Sequence, residues 1–81
     1  MNGVIHELDV VALLEDASAA HYETSAPLRL RRGQMGTVVM VYADGACEVE
    51  FSGVDGRAYA MLPVTPEKLM VLYSAPVLTA A

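Results

Sequence analysis

The residues able to do covalent or metal chemistry are few and scattered. Cys47 is the one thiol, and His6 and His21 are the only imidazoles. A zinc site gathers about four such donors at close, paired spacings, which positions 6, 21 and 47 do not offer. Cys47 opens the run "CEVEF" on its apolar side, where a thiol is normally inert packing. Neither histidine has a serine or cysteine set beside it by sequence as a nucleophile beside its base. Asp9, Glu15, Asp16 and Glu23 are of a type that binds cations or moves protons, but acids that bound strands are most often solvated ends. The expectation is a non-enzymatic chain with no catalytic, cofactor or metal residue.

What remains is binding chemistry, and size and composition bound it. With 81 residues the chain builds one domain, expected over 1–81 with its ordered core at about 7–73 and a frayed tail at 74–81. A core this small supplies about 3 to 5 kcal/mol and is usually reinforced by a disulfide, a metal or association. One cysteine excludes an internal disulfide, so association is the reinforcement left. A hydrophobic content of 54% and a mean hydropathy of +0.38 agree, being high for a domain with so much surface. No apolar run reaches the roughly 18 residues of a membrane span, and "MNGVIHELDVV" has neither the basic flank nor the cleavage site of a signal peptide. A cytoplasmic protein is expected. The net charge of −5 repels phosphate backbones unless the cations are gathered, and Arg29, Arg31 and Arg32 are.

The elements that must carry these residues follow from pattern. "ELDVVALLED", 7–16, reads as a strand because Val10 and Val11 are β-branched, with a helix as the competing reading. "ASAAHYETSAPL", 17–28, has no period and reads as a long loop closed by Pro27. "GTVVMVYA" and "CEVEF" flank Ala43-Asp44-Gly45-Ala46, a hairpin signal because glycine accepts positive φ. "SGVDG", 52–56, is a second turn, and "RAYAML" a fourth strand that Pro63 stops. "TPEKL" predicts one helical turn with Thr65 as its cap and Pro66 first, ahead of a fifth strand "LMVLY", 69–73. Together these predict an all-β fold: a small, strongly bent, five-stranded antiparallel barrel of the SH3-like kind, with a one-turn helix before the last strand.

The hairpin has two faces. Glu48 and Glu50 alternate with Cys47, Val49 and Phe51, so the acids face out. A two-residue turn would put Val38, Met40 and Tyr42 inward, and a three-residue loop with a glycine bulge would put Val39 and Val41 inward. The bulged form is the one expected, since it seats Val39 and Val41 with Val49 and Phe51. Val38, Met40 and Tyr42 are then left outside beside Glu48 and Glu50, and these five are the candidate partner interface. The alternative is that Val4 and Ile5, or Val77 and Leu78, fold over this stripe. Arg57 is expected to pair with Glu50 or Asp55.

Residues 30–62, "LRRGQMGTVVMVYADGACEVEFSGVDGRAYAML", resemble the core of a bacterial family of small uncharacterised proteins, domain-of-unknown-function family four-nine-two-six. The likeness rests on Gly33, Gly36, Gly45, Glu48, Glu50, Phe51, Gly56 and Arg57, and extends to "LDVVALLED". It implies an SH3-like barrel and no assigned reaction, cofactor or catalytic residue. Met40 departs from the polar residue expected there, and the 17–28 loop is longer than usual. Gly33-Gln34-Met35-Gly36 is also similar to the Gly-x-x-Gly turn of KOW-type modules, where a barrel loop touches RNA or protein. Arg29, Arg31, Arg32 and Gln34 are therefore the candidate set for nucleic acid. Against RNA stand the acidic balance, the absence of lysine from the cluster and a lone nearby aromatic, Tyr22. The expected function is a protein-interaction module, forming a homodimer or binding another protein, as an antitoxin or immunity protein does. RNA binding is the alternative.

Overall fold

The computed structural model describes residues 4–80. The sequence readings that touch Met1 to Gly3 and Ala81 lie outside them. The chain forms β1 (Val10–Leu13), β2 (Ala17–Ala20), β3 (Pro27–Leu30), β4 (Met35–Val41), β5 (Cys47–Ser52), β6 (Ala58–Val64), a 3-10 turn (Pro66–Lys68) and β7 (Leu69–Val71). The fold is all-β. A five-stranded antiparallel sheet runs in the order β6-β5-β4-β1-β7, and β2 and β3 pair by themselves.

The five expected strands are these five sheet members, with different ends. The first strand is β1 alone, because the chain leaves the ladder at Leu14. β6 runs through Pro63 to Val64, where a stop was expected. It is an edge strand, and on an edge a proline can turn its missing donor away from the ladder. The 3-10 turn stands before the last strand, with Thr65 and Pro66 in the expected places, though the Thr65 hydroxyl makes no capping bond.

The segment 17–28 is not a loop. Ala17 pairs with Leu30 and Ala19 with Leu28, and these four turn toward the core while Ser18 and Arg29 face water. Alanine and serine carry weak strand signals, so the pattern shows only once both halves are set side by side. This hairpin is an arm inserted between β1 and β4, whose ladder closes at its base through Gly33 N–H to Leu13 C=O (2.7 Å) and Leu13 N–H to Gln34 C=O (3.0 Å). Its tip reaches β6, where Tyr22 N–H donates to Tyr59 C=O at 2.7 Å.

The core lies between the sheet and the arm. Val11, Val38, Cys47, Val49, Phe51 and Ala60 have no exposed surface, and Ile5, Leu13, Leu30, Val64 and Leu69 complete the cluster. Gly36 is needed here: a Cβ on it would lie 2.7 Å from Val49 Cγ1 and 2.9 Å from the Phe51 ring.

Candidate functional site

The β4–β5 hairpin closes as its Asp-Gly pair dictates. Tyr42 N–H donates to Ala46 C=O (2.8 Å), Gly45 N–H to Tyr42 C=O (2.9 Å), and Gly45 sits at φ +91°. The Asp44 carboxylate accepts the Ala46 N–H at 3.0 Å. This is the expected three-residue loop with its glycine bulge. The β5–β6 turn repeats it: Gly53 N–H to Arg57 C=O, Gly56 N–H to Gly53 C=O, Gly56 at φ +79° and Asp55 accepting Arg57 N–H.

From that turn the ladder runs Val41 with Cys47 and Met40 with Glu48, and a regular strand would next set Val39 against Val49. Instead a second bulge leaves Val39 unpaired, so that Val38 meets Val49 and Thr37 meets Glu50. One extra residue moves everything before it to the other face. Val38 is therefore core and not interface. Val39 and Val41, expected inside, are 38% and 36% exposed. The bulge coincides with a crossing chain: Val38 N–H donates to Asp9 C=O and Leu8 N–H to Val38 C=O, while Ile5 ahead of them is buried.

The rest of the candidate stripe does lie together. On the side of the sheet away from the core, register places Val10, Thr37, Glu50 and Met61 in one row across β1, β4, β5 and β6. The next row is Met40, Glu48 and Pro63. Val10, Met40 and Met61 are 40%, 42% and 39% exposed. The Tyr42 hydroxyl donates to the Glu48 carboxylate, which holds the phenol above its ordinary pKa, with partial burial and the Glu48 and Asp44 charges adding to the effect. Ser52 Oγ donates to Glu50 Oε1 at 3.2 Å. Neither glutamate has a cation partner among the described residues, where Arg29 pairs with Asp16, Arg57 with Glu23 and Lys68 with Glu15. Neither expected cover is in place, since Ile5 turns into the core and Val4, Val77 and Leu78 stand in solvent.

The arginine cluster is partly spoken for. Arg29 lies on β3 and binds Asp16 at 2.6 Å, and Asp16 also accepts the Arg32 backbone N–H at 2.8 Å. The Arg29 hydrogen bond, followed by that of Arg32, holds the Asp16 carboxyl below the usual carboxylate range. Gln34 Nε2 donates to the Tyr59 hydroxyl at 2.8 Å and ties the arm's base to β6. Gly33, at φ +90°, serves the turn, and Gly36 serves the close packing of β4 on Val49 and Phe51. Arg31 and Arg32 keep exposed side chains that join no ion pair among the described residues.

Elsewhere, polar groups hold the fold together. The Arg57 guanidinium pairs with Glu23 on the arm's tip at 3.1 Å and not with Glu50 or Asp55, whose carboxylate takes only the Arg57 backbone N–H. His21 Nδ1 accepts the N–H groups of Glu23 (3.1 Å) and Thr24 (3.3 Å), so it braces the tip. Cys47 is fully buried, and burial pushes its thiol up, with the Asp9 charge adding to it. Among the described residues no group of three or more His, Cys, Asp and Glu side chains is arranged to hold a metal ion. No helix among them is long and apolar enough to cross a membrane. Sequence reasoning missed Val10 and Met61. Met61 could not be found from the second Asp-Gly turn, whose register alone would set Ala60 opposite Glu50; a bulge between Phe51 and Ser52 shifts β6 by one residue and brings Met61 there instead.

Residues 7–71 match the model of a protein family described as Domain of unknown function (DUF4926). No curated protein and no solved structure matches the chain. The chain belongs to that family.

Proposed function

We propose that this member of the DUF4926 family is a non-enzymatic protein-interaction module that binds through the outer face of its five-stranded sheet. The observation behind the reading is the pairing of Met40 with Glu48 and of Met61 with Glu50 on that face, with Val10 and Tyr42 at its margins. Antiparallel sheets with a solvated side usually alternate apolar-in with polar-out, and this one carries large apolar side chains on both sides. Methionine suits such a role because its unbranched thioether adapts to a partner's contour. The sheet order, the arm between the first two sheet strands and the 3-10 turn before the last support an SH3-like description. A bacterial, cytoplasmic protein acting beside its partner, in the manner of an antitoxin or immunity protein, is the setting that fits an acidic chain of this size.

The test compares wild type with a Met40→Lys, Met61→Lys variant, after circular dichroism has shown that both fold. Light scattering reads self-association, and affinity capture from the source cells reads other partners. The variant should lose whichever of the two the wild type shows. Identical mass and identical captured proteins would refute the proposal.

RNA binding is a second reading, favoured by the Arg31 and Arg32 side chains, which are exposed and join no ion pair among the described residues. It is weaker because Arg29 and Gln34 are engaged by Asp16 and Tyr59. A salt-dependent gel shift tests it, and no shift at low salt removes it.

A further inference from the structure

We infer that the outer face is built for a different protein that presents lysine or arginine side chains between aliphatic ones, and not for a second copy of this chain. The inference rests on the reading that this face binds protein and goes on to say what it binds. Glu48 stands between Met40 and Pro63 on the neighbouring strands, and Glu50 between Thr37 and Met61. Both carboxylates are half-buried, and the hydrogen bonds they accept come from the neutral hydroxyls of Tyr42 and Ser52. A docked surface would strip water from both. That is costly for an ionised carboxylate unless a cation arrives with the partner.

A second copy brings none to this place. Two-fold pairing sets a patch against itself, so Glu48 and Glu50 would meet Glu48 and Glu50, and the rows that flank them hold no lysine or arginine. Like charges brought together out of water oppose the contact, and the net charge of −5 opposes it at longer range. The same charges attract a basic partner. Val10, Met40 and Met61 supply the apolar area, and the two glutamates decide what covers it.

The test uses the folded chain and a labelled peptide of Lys-Ser-Val-Ser repeats, which when extended presents lysine and valine alternately along one edge. A Glu-Ser-Val-Ser peptide is the control. Fluorescence anisotropy should show binding of the lysine peptide alone, weakened about tenfold by Glu48→Gln, Glu50→Gln. A Glu7→Gln, Glu67→Gln variant, which removes the same charge elsewhere, should bind as wild type does. Equal weakening in both variants would mean that net charge alone is felt and would overturn the inference. So would a wild-type dimer in sedimentation that Glu48→Gln, Glu50→Gln strengthens, or open-ended assembly that Arg31→Ala, Arg32→Ala abolishes. Those two results would leave the face as a binding surface and change its occupant. Binding of the lysine peptide that Met40→Lys, Met61→Lys leaves unaltered would count against the face itself.

Discussion

Met61 on β6 stands directly opposite Glu50 on β5, on the side of the ladder that faces away from the core. One row over, Met40 and Glu48 repeat the pairing across β4 and β5. Two thioethers beside two carboxylates give this surface apolar area and negative charge together, and the sheet has only one other side to bury.

The placement of β4 is the first consequence to test. Val38 has no exposed surface and meets Val49, while Val39 sits in the bulge. Val38→Ala should cost about 2 kcal/mol by the loss of buried methyl groups, and Val39→Ala less than about 0.5 kcal/mol. Urea denaturation reads both. Equal costs, or the reverse order, would return Val39 to the core.

That contrast also marks how far the sequence could be read. The Asp-Gly turns at 43–46 and 52–56 were legible because glycine at positive φ beside aspartate is a local signal, and both closed with the same bonds. They set the outward direction of Met40, Tyr42, Glu48 and Glu50. The bulge at Val39 was not legible, since it goes with the crossing of residues 4–9, a tertiary event with no mark in "TVVMV". The arm escaped notice because its inward residues at 17 and 19 are alanines, too small to make a strand pattern stand out.

Gly36 should resist any side chain. Its Cβ would overlap Val49 and Phe51, both fully buried and unable to move aside, so Gly36→Ala should cost about 1 to 3 kcal/mol. Gly33→Ala meets open space and should cost only the strain of φ +90°, about 1 kcal/mol. A thermal melt that ranks Gly33→Ala as the more damaging would contradict this packing.

The Tyr42 phenol reports on the outer face at high pH. Its pKa is raised from 10.0, mainly by the hydrogen bond to Glu48, so its contribution to stability is full below about 10 and is lost as pH rises through the folded value. Ultraviolet titration of Glu48→Gln should bring the midpoint down toward 10.0. An unmoved midpoint would mean that the hydroxyl points elsewhere.

Acid should loosen the arm. The Asp16 carboxyl is held below 3.8, so its contribution is full above that value and is lost as pH falls through the lower, folded one. Carboxyl NMR of Arg29→Ala should show the Asp16 midpoint rising toward 3.8, with earlier acid broadening of the amide signals in β2 and β3. A midpoint equal to that of wild type would dissociate Asp16 from Arg29.

The most direct measurement of the interaction face is methionine-methyl NMR. Of the five methionines, Met40 and Met61 flank the two glutamates, while Met35 and Met70 lie to either side of Ala12 in the row beyond Val10 and Thr37 on the same face, with no glutamate between them. When the Lys-Ser-Val-Ser peptide is added, the Met40 and Met61 methyl signals should shift further than those of Met35 and Met70, and concentrating the chain alone should leave all four in place. Still signals from Met40 and Met61 as the peptide is added, or shifts confined to Met35 and Met70, would contradict the assignment of the rows around Glu48 and Glu50 as the binding surface.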